Sequence, residues 1–207
     1  METSKKNSKA LIIVLSIIGV LFVITICFFG WLFGVKNSIV SKEEIVSSSW
    51  AQVQNQYQRR YDLIPNLVET VKGYANQEKE TFTQVTEARG KASSFQITEE
   101  VLNNPESFKK FEALQGELSS ALSRLMAVSE NYPQLKSNEN FLELQSQLEG
   151  TENRISVERN RYNESIKQYN TFIKLFPQSF VASMFGFDAK PYFEASIESQ
   201  TAPKVQF

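Results

Sequence analysis

The chain has 207 residues, no histidine, one cysteine, and 22 basic against 23 acidic side chains. It therefore lacks the commonest general base and transition-metal ligand, and it has no second thiol for a disulfide or a structural zinc site. A formal net charge of −1 argues against nucleic-acid binding, and no glycine-rich phosphate loop or Gly-x-Ser-x-Gly elbow occurs, so no cofactor is expected.

Residues 1–9 form a short basic start, with Lys5, Lys6 and Lys9. From Ala10 to Val35 there is then no charge, and within Leu11–Phe33 only Ser16, Thr25 and Cys27 are polar interruptions. As a helix this run measures about 39 Å, more than the roughly 30 Å of a bilayer's hydrocarbon core, so 10–35 is predicted to span a membrane with some tilt. A core helix would carry a polar side, which this run lacks. A cleaved leader fits poorly, because the apolar run continues through Phe28, Phe29, Trp31, Leu32 and Phe33 with no small-x-small site. Bulky Ile26 before Cys27 argues against lipid attachment at the cysteine. Trp31 suits a membrane–water interface, and the three lysines before the run, against Lys36 and Lys42 after it, favour a cytoplasmic N-terminus with an extracytoplasmic domain. The expected location is the cell membrane, with the bilayer as one partner.

The remaining 172 residues suit one domain with a core of its own, expected over 36–198 with a flexible tail at 199–207. Apolar residues at Val46, Trp50, Val53, Tyr57, Tyr61, Ile64, Val68, Val71 and Ala75 step by threes and fours, nearly a heptad, and predict a bundle helix. Pro65 within it predicts a kink or a break around Asp62–Pro65, and Gly73 weakens its end. A second helix over 77–93 carries Phe82, Val85, Ala88 and Ala92 and could continue the first. The stretch 94–104 loses the period and ends in Asn103-Asn104-Pro105, a good helix start. A third helix follows through Phe108, Phe111, Leu114, Leu118, Leu122, Leu125 and Val128 to Pro133. A fourth runs from about Ser137, capped by Ser137 or Asn138, through Phe141, Leu148, Ile155, Tyr162, Tyr169 and Phe176 to a stop at Pro177. The aromatic segment Phe180, Met184, Phe185, Phe187, Tyr192 and Phe193 is too apolar to hang in water and is expected to fold back over an open end of the bundle. The predicted fold class is all-α: a transmembrane helix and about four long antiparallel helices.

Glu99-Glu100 could in principle do acid–base work, but on a predicted loop they read as solvated charges. The polar residues that stand beside apolar neighbours are Arg60, Asn66, Arg89, Asn140, Glu152, Asn153, Arg154, Arg159 and Asn163. They are expected to form an interhelical network that fixes helix register, with a ligand or peptide groove as the alternative.

The segments Trp50-Ala51-Gln52-Val53, Gln58-Arg59-Arg60-Tyr61-Asp62-Leu63-Ile64-Pro65-Asn66-Leu67-Val68 and Val71-Lys72-Gly73-Tyr74-Ala75 resemble the signature of the LemA family of bacterial proteins. So, in order, do Tyr132-Pro133-Gln134-Leu135-Lys136-Ser137-Asn138, Asn140-Phe141, Leu148-Glu149-Gly150-Thr151-Glu152-Asn153-Arg154-Ile155, Tyr162-Asn163, Tyr169-Asn170, Phe176-Pro177 and Gly186-Phe187. The resemblance covers about residues 46–194. It implies a membrane-anchored domain of long antiparallel helices and brings no catalytic residue or cofactor with it. Gly150 and Ser47-Ser48-Ser49 depart from the pattern and put local helix continuity in question. The reading that results is a single-pass, non-enzymatic interaction or scaffolding module of the cell envelope with a protein partner. Its alternatives are a sensory or signalling protein and a membrane-remodelling protein that uses its C-terminal aromatics against lipid.

Overall fold

The computed structural model describes residues 2–95 and 99–194, with side chains over 14–95 and 101–194. Among the described residues seven helices follow in order: α1 (Glu2–Tyr74), α2 (Lys79–Ser94), α3 (Glu99–Asn103), α4 (Pro105–Ser129), α5 (Pro133–Lys136), α6 (Glu139–Lys174) and α7 (Gln178–Phe185). No strand occurs among the described residues. The fold is all-α, as the hydrophobic spacing predicts.

α1 is one helix of 73 residues, about 110 Å at 1.5 Å per residue. Its apolar part reaches a mean hydropathy of 2.5 and is unburied, long and apolar enough to cross a membrane. Beyond it the same rod enters the core. Leu32, Ile39, Val46, Val53, Arg60 and Leu67 are buried at a strict seven-residue interval, with Trp50, Tyr57, Ile64 and Val71 buried on the adjoining positions. That is the heptad pattern of helices lying nearly parallel or antiparallel to their neighbours. α6 answers it with Phe141, Leu148, Ile155, Tyr162 and Tyr169, also seven apart. The two run antiparallel in a fixed register: Asn138 Nδ2 donates to Tyr74 Oη (2.9 Å), Arg60 meets Glu152 (2.6 Å), and Lys42 Nζ lies 5.3 Å from the Phe172 ring centre.

The expected break at Asp62–Pro65 does not occur, because the cost of the proline is met from another helix. Pro65 cannot donate to the carbonyl of Tyr61, four residues earlier. Arg89 of α2 supplies the missing donor, its Nε lying 2.8 Å from Tyr61 O. α1 also runs unbroken past Gly73 and through Ser47–Ser49, where Ser49 Oγ turns back to Ile45 O (2.9 Å). Gly150 likewise lies inside α6.

α2 does not continue α1; residues 75–78 make a tight turn between them, with Glu78 N bonded to Ala75 O (3.0 Å). The aperiodic stretch 94–104 contains the short α3, which places Glu99 and Glu100 on a helix; their side chains lie outside the described residues. Asn104 caps α4 as its sequence suggests, its Oδ1 accepting from Glu106 N (2.9 Å) and Ser107 N (3.2 Å), with Pro105 at the first helical position. Asn138 caps α6 by accepting from Phe141 N (3.0 Å). α6 stops at Lys174, before Phe176. The tail expected from Ser199 lies outside the described residues.

Among the described aromatics of this segment Phe193 is buried and Phe187 half-buried against the core. Phe193 meets Phe108 at 4.8 Å, Tyr162 at 5.4 Å and Trp50 at 5.9 Å between ring centres, which makes it part of the aromatic centre of the bundle. Phe180, Met184, Phe185 and Tyr192 stay exposed while α7 packs Val181 and Ala182 inward.

The Pro65–Arg89 pairing gives a sharp expectation for denaturant unfolding. Arg89→Met should cost about 1–3 kcal/mol, the range for a carbonyl left without its partner. In a Pro65→Ala background, where a backbone N–H returns to the Tyr61 carbonyl, that cost should fall by more than half; an undiminished cost would refute the compensation.

Candidate interaction site

Two polar systems run along α6, and an open groove lies beside them. The first is centred on Arg60, which occupies a heptad core position of α1 and is 1% exposed. Its guanidinium donates to Glu152 Oε1 of α6 (2.6 Å), to Ser119 Oγ (3.1 Å) and to the side-chain carbonyl of Gln115, both on α4, and it lies 5.2 Å from the Tyr57 ring centre. Gln115 passes the chain on, donating from Nε2 to Tyr61 Oη (2.5 Å). One buried cation thus joins α1, α4 and α6. Glu152 keeps 45% of its side chain exposed, so the acid that balances Arg60 is still partly hydrated. Burial pushes Tyr57 up from 10 to about 12, against the lowering pull of Arg159 and Arg60. Burial likewise raises Tyr61, Tyr162 and Tyr169.

The second system holds an extended stretch of the chain against α6. Asn170 accepts from Lys190 N (2.9 Å) and donates to Lys190 O (2.9 Å), and Asn163 does the same with Phe193 (2.9 and 3.0 Å). Each side-chain amide acts as the peptide of a neighbouring strand would. Seven helical residues rise about 10.5 Å and three extended residues about 10 Å, so asparagines seven apart match every third residue of a strand. Arg159 extends the line to Glu194 O (3.3 Å), reaches Glu112 of α4 (3.2 Å) and lies 4.3 Å from the Phe193 ring centre. Burial holds the Glu112 carboxyl above the ordinary carboxylate range, opposed by Arg159. At the other end of the track, buried Lys190 reaches Glu43 of α1 (2.9 Å) and Asn103 of α3 (2.8 Å).

Beside this line the same side of α6 carries a hollow. Arg159, Asn160, Asn163 and Ser156 line a hollow of about 450 Å³. Next to it, α4 and α6 stand apart around a second hollow of about 660 Å³. Its apolar lining is Leu122, Met126 and Leu148, and Ser119, Ser123, Gln145, Glu149, Glu152 and Asn153 supply hydrogen-bonding groups.

Of the residues singled out from the sequence, the structure joins Arg60 with Glu152, places Arg89 on the Tyr61 carbonyl, sets Arg159 and Asn163 along the extended stretch, and puts Asn153 at the groove. Asn66, Asn140 and Arg154 are exposed and stand outside these networks among the described residues. Gln115, Asn170 and Lys190 were not anticipated. Gln115 lies among core-facing Phe111, Leu118 and Leu122, and Asn170 follows Asn163 by seven residues, so the heptad phase held a signal for both.

In denaturant unfolding of the detergent-solubilised chain, Arg60→Ala should cost about 3 kcal/mol, because it strips Gln115 and Ser119 of a partner and leaves a cavity. Arg154→Ala, at an exposed position, should stay within about 0.5 kcal/mol. Equal costs would remove the distinction between the buried and the exposed arginine.

The chain is similar in sequence to known proteins. The LemA family pattern matches residues 49–207, from just before Trp50 through Arg60, Pro65, Arg89 and both asparagines of the track. Magnetosome protein MamQ 2 of Paramagnetospirillum magneticum is 28% identical over 209 aligned positions, 93% of this chain and 76% of that protein. MamQ of Magnetospirillum gryphiswaldense is 27% identical over 76% of this chain and 64% of its own length. Protein LemA of Metamycoplasma hominis is 24% identical over 84% of this chain and 76% of its own length. With the family pattern matched over most of its length and its polar residues placed in one helical framework, this membrane-associated helical chain belongs to the LemA family.

Proposed function

We propose that the chain is a single-pass, non-enzymatic scaffolding protein of the bacterial cell envelope, whose bundle docks an extended segment of a protein partner in the groove between α4 and α6. The observation that carries this reading is the asparagine track: α6 already holds an extended peptide, that of its own residues 190–194, through Asn170, Asn163 and Arg159. Ser156, Asn160 and Asn153 continue that side of the helix into open hollows, where Leu122, Met126 and Leu148 offer an apolar floor. Backbone polar groups of an incoming strand would find amides and hydroxyls, and alternate side chains would find the floor. The non-enzymatic part is supported by a chain without histidine and by relatives whose names assign no reaction. The groove tells against a purely mechanical spacer, and its occupancy is what a scaffold needs.

Photo-crosslinking in the native cell tests the docking. A crosslinking residue at Ser123, in the groove, should give a discrete protein adduct that Asn153→Arg, at an exposed position of the groove wall, removes, whereas one at exposed Thr83 on α2 should give none. No adduct at Ser123, or one that survives Asn153→Arg, would reject the groove as the docking place.

The lysine bias around the apolar run supports an extracytoplasmic bundle. Protease added to intact spheroplasts should then digest the bundle, and full protection beside an accessible control protein would reverse the orientation.

A further inference from the structure

α7 and the corner that leads into it carry an apolar surface that neither the groove nor the core uses. From Leu175 to Phe187 the chain has no charge. Phe176, Phe180 and Met184 recur at four-residue steps on the outward side and are 87%, 57% and 50% exposed, while Val181 and Ala182 face inward. A short helix that is apolar on both sides calls for a second apolar surrounding besides the bundle.

The level of this corner along α1 identifies the other. α7 packs on α1, and there the buried or half-buried residues of α1 are Leu32, Val35 and Ile39, which straddle the end of the uncharged run. Lys36, the first charge after the run, lies over the Phe185 ring at 4.7 Å. The α1–α6 register gives the same height independently, since Phe172 stands against Lys42 and the antiparallel course of α6 carries Phe176 further toward the bilayer. With Trp31 at the membrane–water interface, as its ring suits, Leu32 to Val35 falls in the interfacial layer and α7 lies beside it.

We propose that the α6–α7 corner is a second membrane-contact site, a monotopic insertion in which Phe176, Phe180 and Met184 enter the lipid surface next to the spanning part of α1. The assignment rests on that spanning reading. Lys36 and Lys42 hold their ammonium groups over the Phe185 and Phe172 rings on this side of the bundle, and positive charge there suits a layer of lipid phosphates. The bundle then meets the bilayer at two points and stands at a fixed tilt, with the α4–α6 groove carried away from the surface.

The experiment uses the full chain with Cys27→Ser, reconstituted in phosphatidylcholine vesicles with or without bromine on the acyl chains. Single cysteines replace Phe180, Met184, Val20 in the middle of the run, or Ser123 at the far end of α4, and each carries a polarity-sensitive fluorophore. All four positions are exposed in the folded chain, so the substitutions leave the core intact. An interfacial segment sits about 5–10 Å into the headgroup boundary, so labels at Phe180 and Met184 should show about half the bromine quenching of the Val20 label, with none at Ser123. Quenching at Val20 alone overturns the second contact and leaves the anchor standing. Loss of quenching at Val20 as well defeats the anchor itself. Blue-shifted but unquenched labels at Phe180 and Met184 also overturn the proposal, in favour of a protein surface such as a second copy of the chain.

Discussion

A helix that passes a proline strands the carbonyl four residues earlier, and α1 passes Pro65 within its core-facing length, with Leu67 and Val71 still to come. Because Arg89 reaches that carbonyl at 2.8 Å from the next helix, the rod that begins in the apolar run continues to Tyr74 without a joint. A break there would detach the last turns of α1, with Leu67 and Val71, from the row that faces the core. Because α1 is one helix from the apolar run into the bundle, the register of α6 against it becomes a ruler, and the places of the groove, the track and α7 along the bundle follow from which α1 residues they touch.

The same rod carries a cation where a heptad calls for an apolar side chain. Val46, Val53 and Leu67 occupy the repeat on either side of Arg60. An arginine in that row can be accommodated only where acceptors converge, and Glu152, Gln115 and Ser119 converge from two other helices. Sliding α6 by one heptad against α1 would keep apolar rows in contact but would bury Arg60 among them without its acid. The pair therefore acts against misregistered bundles more than it adds to stability, the role for which buried polar groups in helical assemblies are best attested. Glu152 is poised to do this at moderate desolvation cost because its carboxylate remains partly in water.

How much could be read from the sequence divides along the range of the interactions. Helix phase is local, so the heptads of α1 and α6, the Asn104-Pro105 start and the Asn138 cap were legible. The passage through Pro65 was not, since the proline rule is local and its remedy, Arg89, comes from another helix. Asn66, Asn140 and Arg154 were placed among core partners because they adjoin buried Leu67, Phe141 and Ile155; one residue of helix is a turn of 100°, enough to carry a side chain from core to solvent. The track along α6 was hidden for a different reason. The extended stretch it holds has no periodicity of its own, and it becomes visible only when the seven-residue spacing of Asn163 and Asn170 is set against a rise of three extended residues.

An extended chain gripped by side-chain amides also explains how so few residues close the bundle after α6. A further helix would need its own capping and its own apolar face. The stretch from Lys190 to Glu194 needs neither, because Asn170, Asn163 and Arg159 meet its backbone directly and one side chain, Phe193, fills the space between Trp50, Phe108 and Tyr162. Lys190 adds a tie to Glu43 and Asn103 at the end of the bundle nearest the apolar run. α7 is thereby held from both sides, by α6 before it and by this clamped strand after it. Its outward apolar row is thus fixed in direction, a condition a lipid-facing surface must meet and a loosely hung aromatic segment would not.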